Sequence, residues 1–185
     1  ATNGDSEQTV LFDNVTVNSA VYDFEPTPTP TPGPFDAPEE CTGEYGAPIV
    51  GTAGSDNIKG TGGNDLIFAL GGSDRVNGQG GNDCIVGGAG SDSITAAGGD
   101  DVVLGGDGSD SISGDGGKDN LYGQGASDSL KGGGDNDMLS GGDGSDSLRG
   151  DGGADTIVGD SGSDSANGGG GLDTCTAESE TSCEL

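Results

Sequence analysis

Between residues 51 and 176 an apolar side chain recurs at every ninth position: Ile58, Ile67, Val76, Ile85, Ile94, Val103, Ile112, Leu121, Leu130, Leu139, Leu148 and Ile157, followed by Ala166 and Cys175. The register runs through 126 residues without insertion or deletion, giving fourteen consecutive units. A fixed short period of this kind marks a solenoid, in which each unit packs only on its neighbours. Written from residue 51, the first position of each unit is Gly except at Ala69 and Ala96, and the fourth is Gly except at Ala126 and Asp135. Each unit therefore predicts a Gly-rich turn followed by a short strand whose eighth residue points inward and whose seventh and ninth point out.

The outward positions differ between alternate units. Even units display Leu66, Phe68, Cys84, Val86, Val102, Leu104, Tyr122, Met138 and Val158, whereas odd units display Ser, Asn and Thr together with Lys59, Arg75, Lys131 and Arg149. Were alternate units to lie on separate sheets, one outer face would be apolar and the other hydrophilic. An exposed apolar stripe marks an interface, to be covered either by the chain's own residues 9–24 or by a neighbouring molecule.

Ahead of the repeats the pattern changes. Residues 9–24 are rich in β-branched and aromatic side chains and predict one or two strands. Pro26 to Pro34 alternates Pro with Thr, a composition that favours extended polyproline II and acts as a semi-rigid spacer. Thr27, Thr29 and Thr31 are candidate O-glycan acceptors, and Asn14-Val15-Thr16 is an N-glycosylation sequon. Residues 42–50 form a degenerate unit with Ile49 in the inward column and Ala47 where the sixth residue falls. The expected organisation is a strand segment over 1–25, a linker and weak cap over 26–50, the repeats over 51–176 and a C-terminal cap over 177–185.

Composition changes the picture sharply. Only 28% of the chain is hydrophobic, Trp is absent, Gly supplies 42 positions and the formal net charge is −28. Such a chain cannot bury enough apolar surface to offset its ordering entropy, so something other than burial must hold it together. Five Lys and Arg against 33 Asp and Glu exclude nucleic acid and anionic membrane as partners and favour multivalent cations. No run approaches a transmembrane span, and no membrane insertion is expected. The chain begins at Ala1 rather than Met, which fits removal of a signal peptide, and four Cys without any His suggest two disulfides rather than a zinc site. The expected location is secreted and extracellular.

The chemistry lies in the sixth column, which is Asp in every unit: Asp56, Asp65, Asp74, Asp83, Asp92, Asp101, Asp110, Asp119, Asp128, Asp137, Asp146, Asp155, Asp164 and Asp173. Asp beside Gly is an ordinary turn residue, but here it stays fixed while neighbouring turn positions vary. Gly-rich turns can aim backbone carbonyls at a cation, and carboxylates complete the six to eight oxygens Ca²⁺ takes in flexible geometry; Mg²⁺ demands a stricter octahedron.

Units such as Gly87-Gly88-Ala89-Gly90-Ser91-Asp92-Ser93-Ile94-Thr95 and Gly141-Gly142-Asp143-Gly144-Ser145-Asp146-Ser147-Leu148-Arg149 closely resemble the nonapeptide of the RTX, or hemolysin-type, calcium-binding family. The resemblance covers about two thirds of the chain. It implies an all-β fold, a right-handed parallel β-roll in which two units make one turn, so that odd and even units form separate sheets. It further implies that each ion is shared by the Asp of one unit and that two units on, Asp56 with Asp74 or Asp65 with Asp83, giving about twelve Ca²⁺. Without metal, carboxylates stacked about 4.8 Å apart repel by about 0.9 kcal/mol per adjacent pair in water, and more where desolvated. Folding and calcium binding are then one event.

Four cysteines allow three connectivities. Cys175 falls in the inward column and Cys183 in the tail, so a Cys175–Cys183 bridge would close the roll and leave Cys41 to tie the linker to Cys84. With no His, no nucleophile elbow and no nucleotide loop, no enzyme is expected. The leading expectation is an extracellular structural protein that rigidifies in calcium and polymerises through the roll ends, the apolar face or donation of residues 9–24. The alternatives are a monomeric binding or adhesion module and the secretion module of a larger protein.

Overall fold

The structure, a computed structural model, describes residues 38–181 and residue 183. The strand expected over residues 9–24, the Pro/Thr spacer, and the candidate glycan acceptors Asn14, Thr27, Thr29 and Thr31 lie outside the described residues. Within them every regular element is a strand. The pattern is set by β1 (Ile49–Val50), β2 (Asn57–Lys59), β3 (Leu66–Gly71) and β4 (Arg75–Gly80), and it repeats to β13 (Thr156–Gly162), β14 (Ser165–Gly170), β15 (Thr174–Thr176) and β16 (Ser179–Thr181). Odd-numbered strands make one parallel sheet and even-numbered strands the other, each in sequence order. We call these the first and second sheets. The chain alternates between them, two nonapeptides to a turn, and the result is a β-roll of about seven turns.

Pairing is in register with the repeat. Ile67 lies opposite Ile85, and Leu130 opposite Leu148, so each inward residue stacks on the one eighteen positions away. The degenerate unit joins the same system, with Ile49 paired to Ile67. The inward residues of both sheets form one continuous core from Ile58 to Cys175, nearly all of them fully buried. Each buried Ile, Leu or Val contributes about 2 kcal/mol by removal from water.

Strands extend past the seventh to ninth positions into the next unit. Most span six residues, from the seventh position of one unit to the third of the next. The first position is therefore a second inward column, and Ala69 and Ala96 are completely buried within it. The backbone then turns left-handed at the second and fourth positions. At the fourth, Gly90 has φ 123° and a Cβ there would collide with the Gly72 carbonyl one turn away. The two exceptions in that column, Ala126 and Asp135, are held at φ 73° and 72°, also left-handed.

Two disulfides close the ends, Cys41–Cys84 and Cys175–Cys183. The first pins residues of the linker onto the outer face of the first sheet. Cys41 and Tyr45 pack there with Leu66, Phe68, Cys84 and Leu104, flanked by Val86, Val102 and Tyr122. The cover over this part of the apolar stripe is thus the segment just before the repeats. Beyond it the stripe opens, with Met138 at 37% exposure.

Candidate metal centre

The turns carry the aspartates to the two edges where the chain passes from sheet to sheet. Thirteen of the fourteen, all but Asp56, are buried. A buried carboxylate is costly unless it is paired. The backbone partly answers this: from Asp56 to Asp155, the amide of each Asp donates to Oδ1 of the Asp one full turn later. The bond from Asp56 to Asp74 is 2.7 Å, that from Asp83 to Asp101 is 2.7 Å, and that from Asp155 to Asp173 is 3.0 Å. The result is two ladders of carboxylates, one at each edge of the roll, linked rung to rung by main-chain amides.

The second oxygen is not answered. Oδ2 of Asp74, Asp83, Asp92, Asp101, Asp110, Asp119, Asp128, Asp137, Asp146, Asp155, Asp164 and Asp173 is buried and makes no hydrogen bond. The cations are elsewhere. Among the described residues the ion pairs join Lys131 and Arg149 to Asp151, on the hydrophilic outer face of the second sheet.

The electrostatic consequence is large. Burial pushes the Asp83, Asp119 and Asp128 carboxyls up to about 7, assisted by neighbouring carboxylates and opposed by the amide each one accepts. For the same leading reason Asp101, Asp110 and Asp137 rise to about 6, and Asp92, Asp146 and Asp155 also rise. Protein groups alone do not stabilise the charged form of this column.

The first two aspartates differ. Asp56 Oδ2 accepts from the Thr52 amide and hydroxyl at 2.6 and 2.8 Å, and Asp65 Oδ2 from those of Thr61 at 2.6 and 3.0 Å. Thr stands at the second position in these two units only, and it satisfies the carboxylates that have no preceding rung. The sequence showed Thr52 and Thr61, but without the geometry nothing marked them as caps.

The surroundings fit a hard divalent cation. A Cβ added at Gly105 would lie 2.5 Å from Asp110 Oδ2 and 2.7 Å from the Gly123 carbonyl oxygen. The unpartnered carboxylate oxygen and a carbonyl of the next turn therefore converge on one small space, which the absence of a side chain keeps open. Among the described residues no three His, Cys, Asp or Glu side chains gather into a ready-made cluster. A cation here must take the balance of its oxygens from the backbone, as Ca²⁺ readily does and Zn²⁺ does not.

Residues 50–85, 85–112, 113–148 and 149–179 match the RTX calcium-binding nonapeptide repeat, in four copies. The chain belongs to this family. No individual curated protein matches it. The RTX repeat is a structural calcium-binding module, and here calcium would supply the positive charge that the carboxylate ladders lack. What the chain itself provides is an acidic ladder in fixed register, small residues at the first position of each unit that leave space beside the carboxylate, and, from Asp74 onward, amides that hold each carboxylate with one oxygen unpartnered.

Proposed function

We propose that this chain is a secreted structural module whose roll is assembled by calcium outside the cell, without catalytic activity. The fourteen aspartates Asp56 to Asp173 are its ligands, each ion lying between an Asp and the one a full turn on, for about twelve ions. The observation that carries this is the set of buried Oδ2 atoms without a partner, repeated turn after turn. The two disulfides support an oxidising, extracellular setting. Folding only in millimolar calcium would keep the chain extended until it leaves a low-calcium compartment.

Growth into fibres extends this reading, through the roll ends, the open part of the first sheet or donation of residues 9–24. Met138 and the neighbouring apolar stripe favour it, whereas the Cys175–Cys183 bridge holds the tail against the last turn and opposes simple end-to-end stacking. Light scattering as Ca²⁺ is titrated into metal-free protein, with Mg²⁺ as control, tests both statements. A shrinking radius at constant mass establishes a calcium-folded monomer. Rising mass establishes assembly, and no response to calcium overturns the proposal.

A second reading, a glycan-binding module, draws on a cleft of about 500 Å³ on the outer face of the second sheet, lined by Asn57, Lys59, Arg75, Asn77, Gln79 and Thr95 among others. Retention of the calcium-loaded protein on acidic polysaccharide, lost in Arg75→Ala, would favour it.

A further inference from the structure

The last strand breaks the nine-residue spacing without leaving the ladder. β16 pairs with β14 as Ser165↔Ser179 and Asn167↔Thr181, an offset of fourteen residues. The pairs before it are offset by eighteen, as in Ser147↔Ser165. The final turn is thus four residues short, and the shortened register sets Glu178 opposite Asp164, the place Asp173 takes opposite Asp155. The Asp164 amide donates to Glu178 Oε2 at 2.7 Å, as the Asp155 amide donates to Asp173 Oδ1 at 3.0 Å. The Ser179 amide donates to the Asp164 carbonyl at 3.1 Å, repeating the 2.8 Å bond from Thr174 to Asp155. Asp164 itself is 3% exposed, and its Oδ2 is without a hydrogen-bond partner. With Glu178 it lines a cavity of about 420 Å³ walled also by Val158, Asp160, Thr176 and Ala177.

We propose that Glu178 is an additional rung of the ladder and that Asp164 and Glu178 together hold a terminal Ca²⁺ beyond the nonapeptide repeats. This site rests on the assignment of the Asp ladders to calcium. The register sets Glu178 where an Asp stands in the preceding turns, and its longer side chain still brings a carboxylate oxygen to the Asp164 amide. The missing turn residues also remove carbonyl donors, and Glu178 is solvent-exposed, so water fills more of the coordination and this site is the last to load.

Counting ions on the full, disulfide-bonded chain by native mass spectrometry in saturating calcium tests the site. Twelve Asp-to-Asp rungs and one Asp-to-Glu rung give an expected thirteen ions in the wild type. Glu178→Gln keeps an acceptor for the Asp164 amide but loses the charge; it is expected to carry one ion fewer with an unchanged circular dichroism spectrum. Glu44→Gln, on the exposed linker, controls for adventitious adducts and should match the wild type. Equal counts in wild type and Glu178→Gln would overturn the site. Should that variant fail to fold, the wild-type count decides, thirteen supporting the site and twelve sinking it. A wild type that takes up no calcium would instead overturn the ladder assignment and this site with it.

Discussion

The sixth and eighth columns of the repeat lie two residues apart and obey opposite physics. The eighth column, Ile58 to Cys175, is buried against its own kind and stabilises the roll in water whether or not a cation is present. The sixth, Asp56 to Asp173, is buried too, yet each turn adds a carboxylate oxygen without a partner and a charge beside a like charge. One column favours the roll and the other opposes it while its carboxylates are charged and unpaired. On the proposed function, a chain of such low hydrophobicity needs the cation to tip that balance at neutral pH.

The sharpest way to break the comparison is to remove the cation. With calcium chelated at pH 8, the β-sheet circular dichroism signal is expected to collapse almost completely and to return on adding Ca²⁺ but not Mg²⁺. Persistence of the signal in chelator would mean that the apolar column suffices alone. Next comes a pair of substitutions within one unit. Leu121→Ala in calcium should cost about 2–5 kcal/mol in urea unfolding, through lost burial and the cavity left behind. Asp119→Asn should release two ions in calcium, one from each adjoining gap, while making the metal-free chain more compact by relieving repulsion. A fall in compactness without calcium would contradict the ladder as a source of repulsion.

A third outcome concerns pH. In metal-free protein the Asp83, Asp119 and Asp128 carboxyls sit at about 7 in the roll, against the ordinary 3.8 in the unfolded chain. A group raised on folding binds protons more tightly in the folded state, so its favourable contribution is full below the ordinary value and is lost as pH rises through about 7. Chelated protein should therefore gain β structure between pH 8 and pH 5. Calcium-loaded protein should lose ions over the same interval, because protons compete for the same oxygens. Circular dichroism of the chelated protein and bound-calcium measurement on the loaded protein over this interval check that β content rises in the first while ion content falls in the second.

The smallest expected effect tests the turn alone. Ala126 holds a left-handed conformation in a column otherwise occupied mostly by Gly. Ala126→Gly should stabilise the calcium-loaded roll by about 1 kcal/mol in thermal unfolding, the strain of a Cβ at positive φ less the entropy Gly adds to the unfolded chain.

Much of this was legible before any coordinates. The nine-residue period marked the apolar and acidic columns, and the resemblance to the RTX nonapeptide implied two units per turn, which sets Ile67 on Ile85 and Asp65 near Asp83 as the structure has them. The contrast between Leu66 or Phe68 on one outer face and Lys59 or Arg75 on the other followed from strand alternation. Three features were not legible. Thr52 and Thr61 looked like any turn residues until their hydroxyls were found on Asp56 and Asp65. The second inward column, marked by Ala69 and Ala96, was hidden because Gly carries no side chain to signal its direction. Tyr45 covering the apolar stripe joins residues across the repeat boundary, where periodicity carries no information.

The sequence by itself determined the local repeat: a turn every nine residues, an inward column and a fixed Asp column in each, and so a preference for a divalent cation. These depend only on neighbours along the chain and on stacking at fixed spacing. Tertiary structure alone decided what happens where the period stops. There the structure has the Cys41–Cys84 pairing, one of the three connectivities open to the sequence, and packs Tyr45 on the first sheet, and a turn shortened by four residues brings Glu178 into line with Asp164. A periodic pattern fixes its own interior, but its ends are closed by contacts that no period describes.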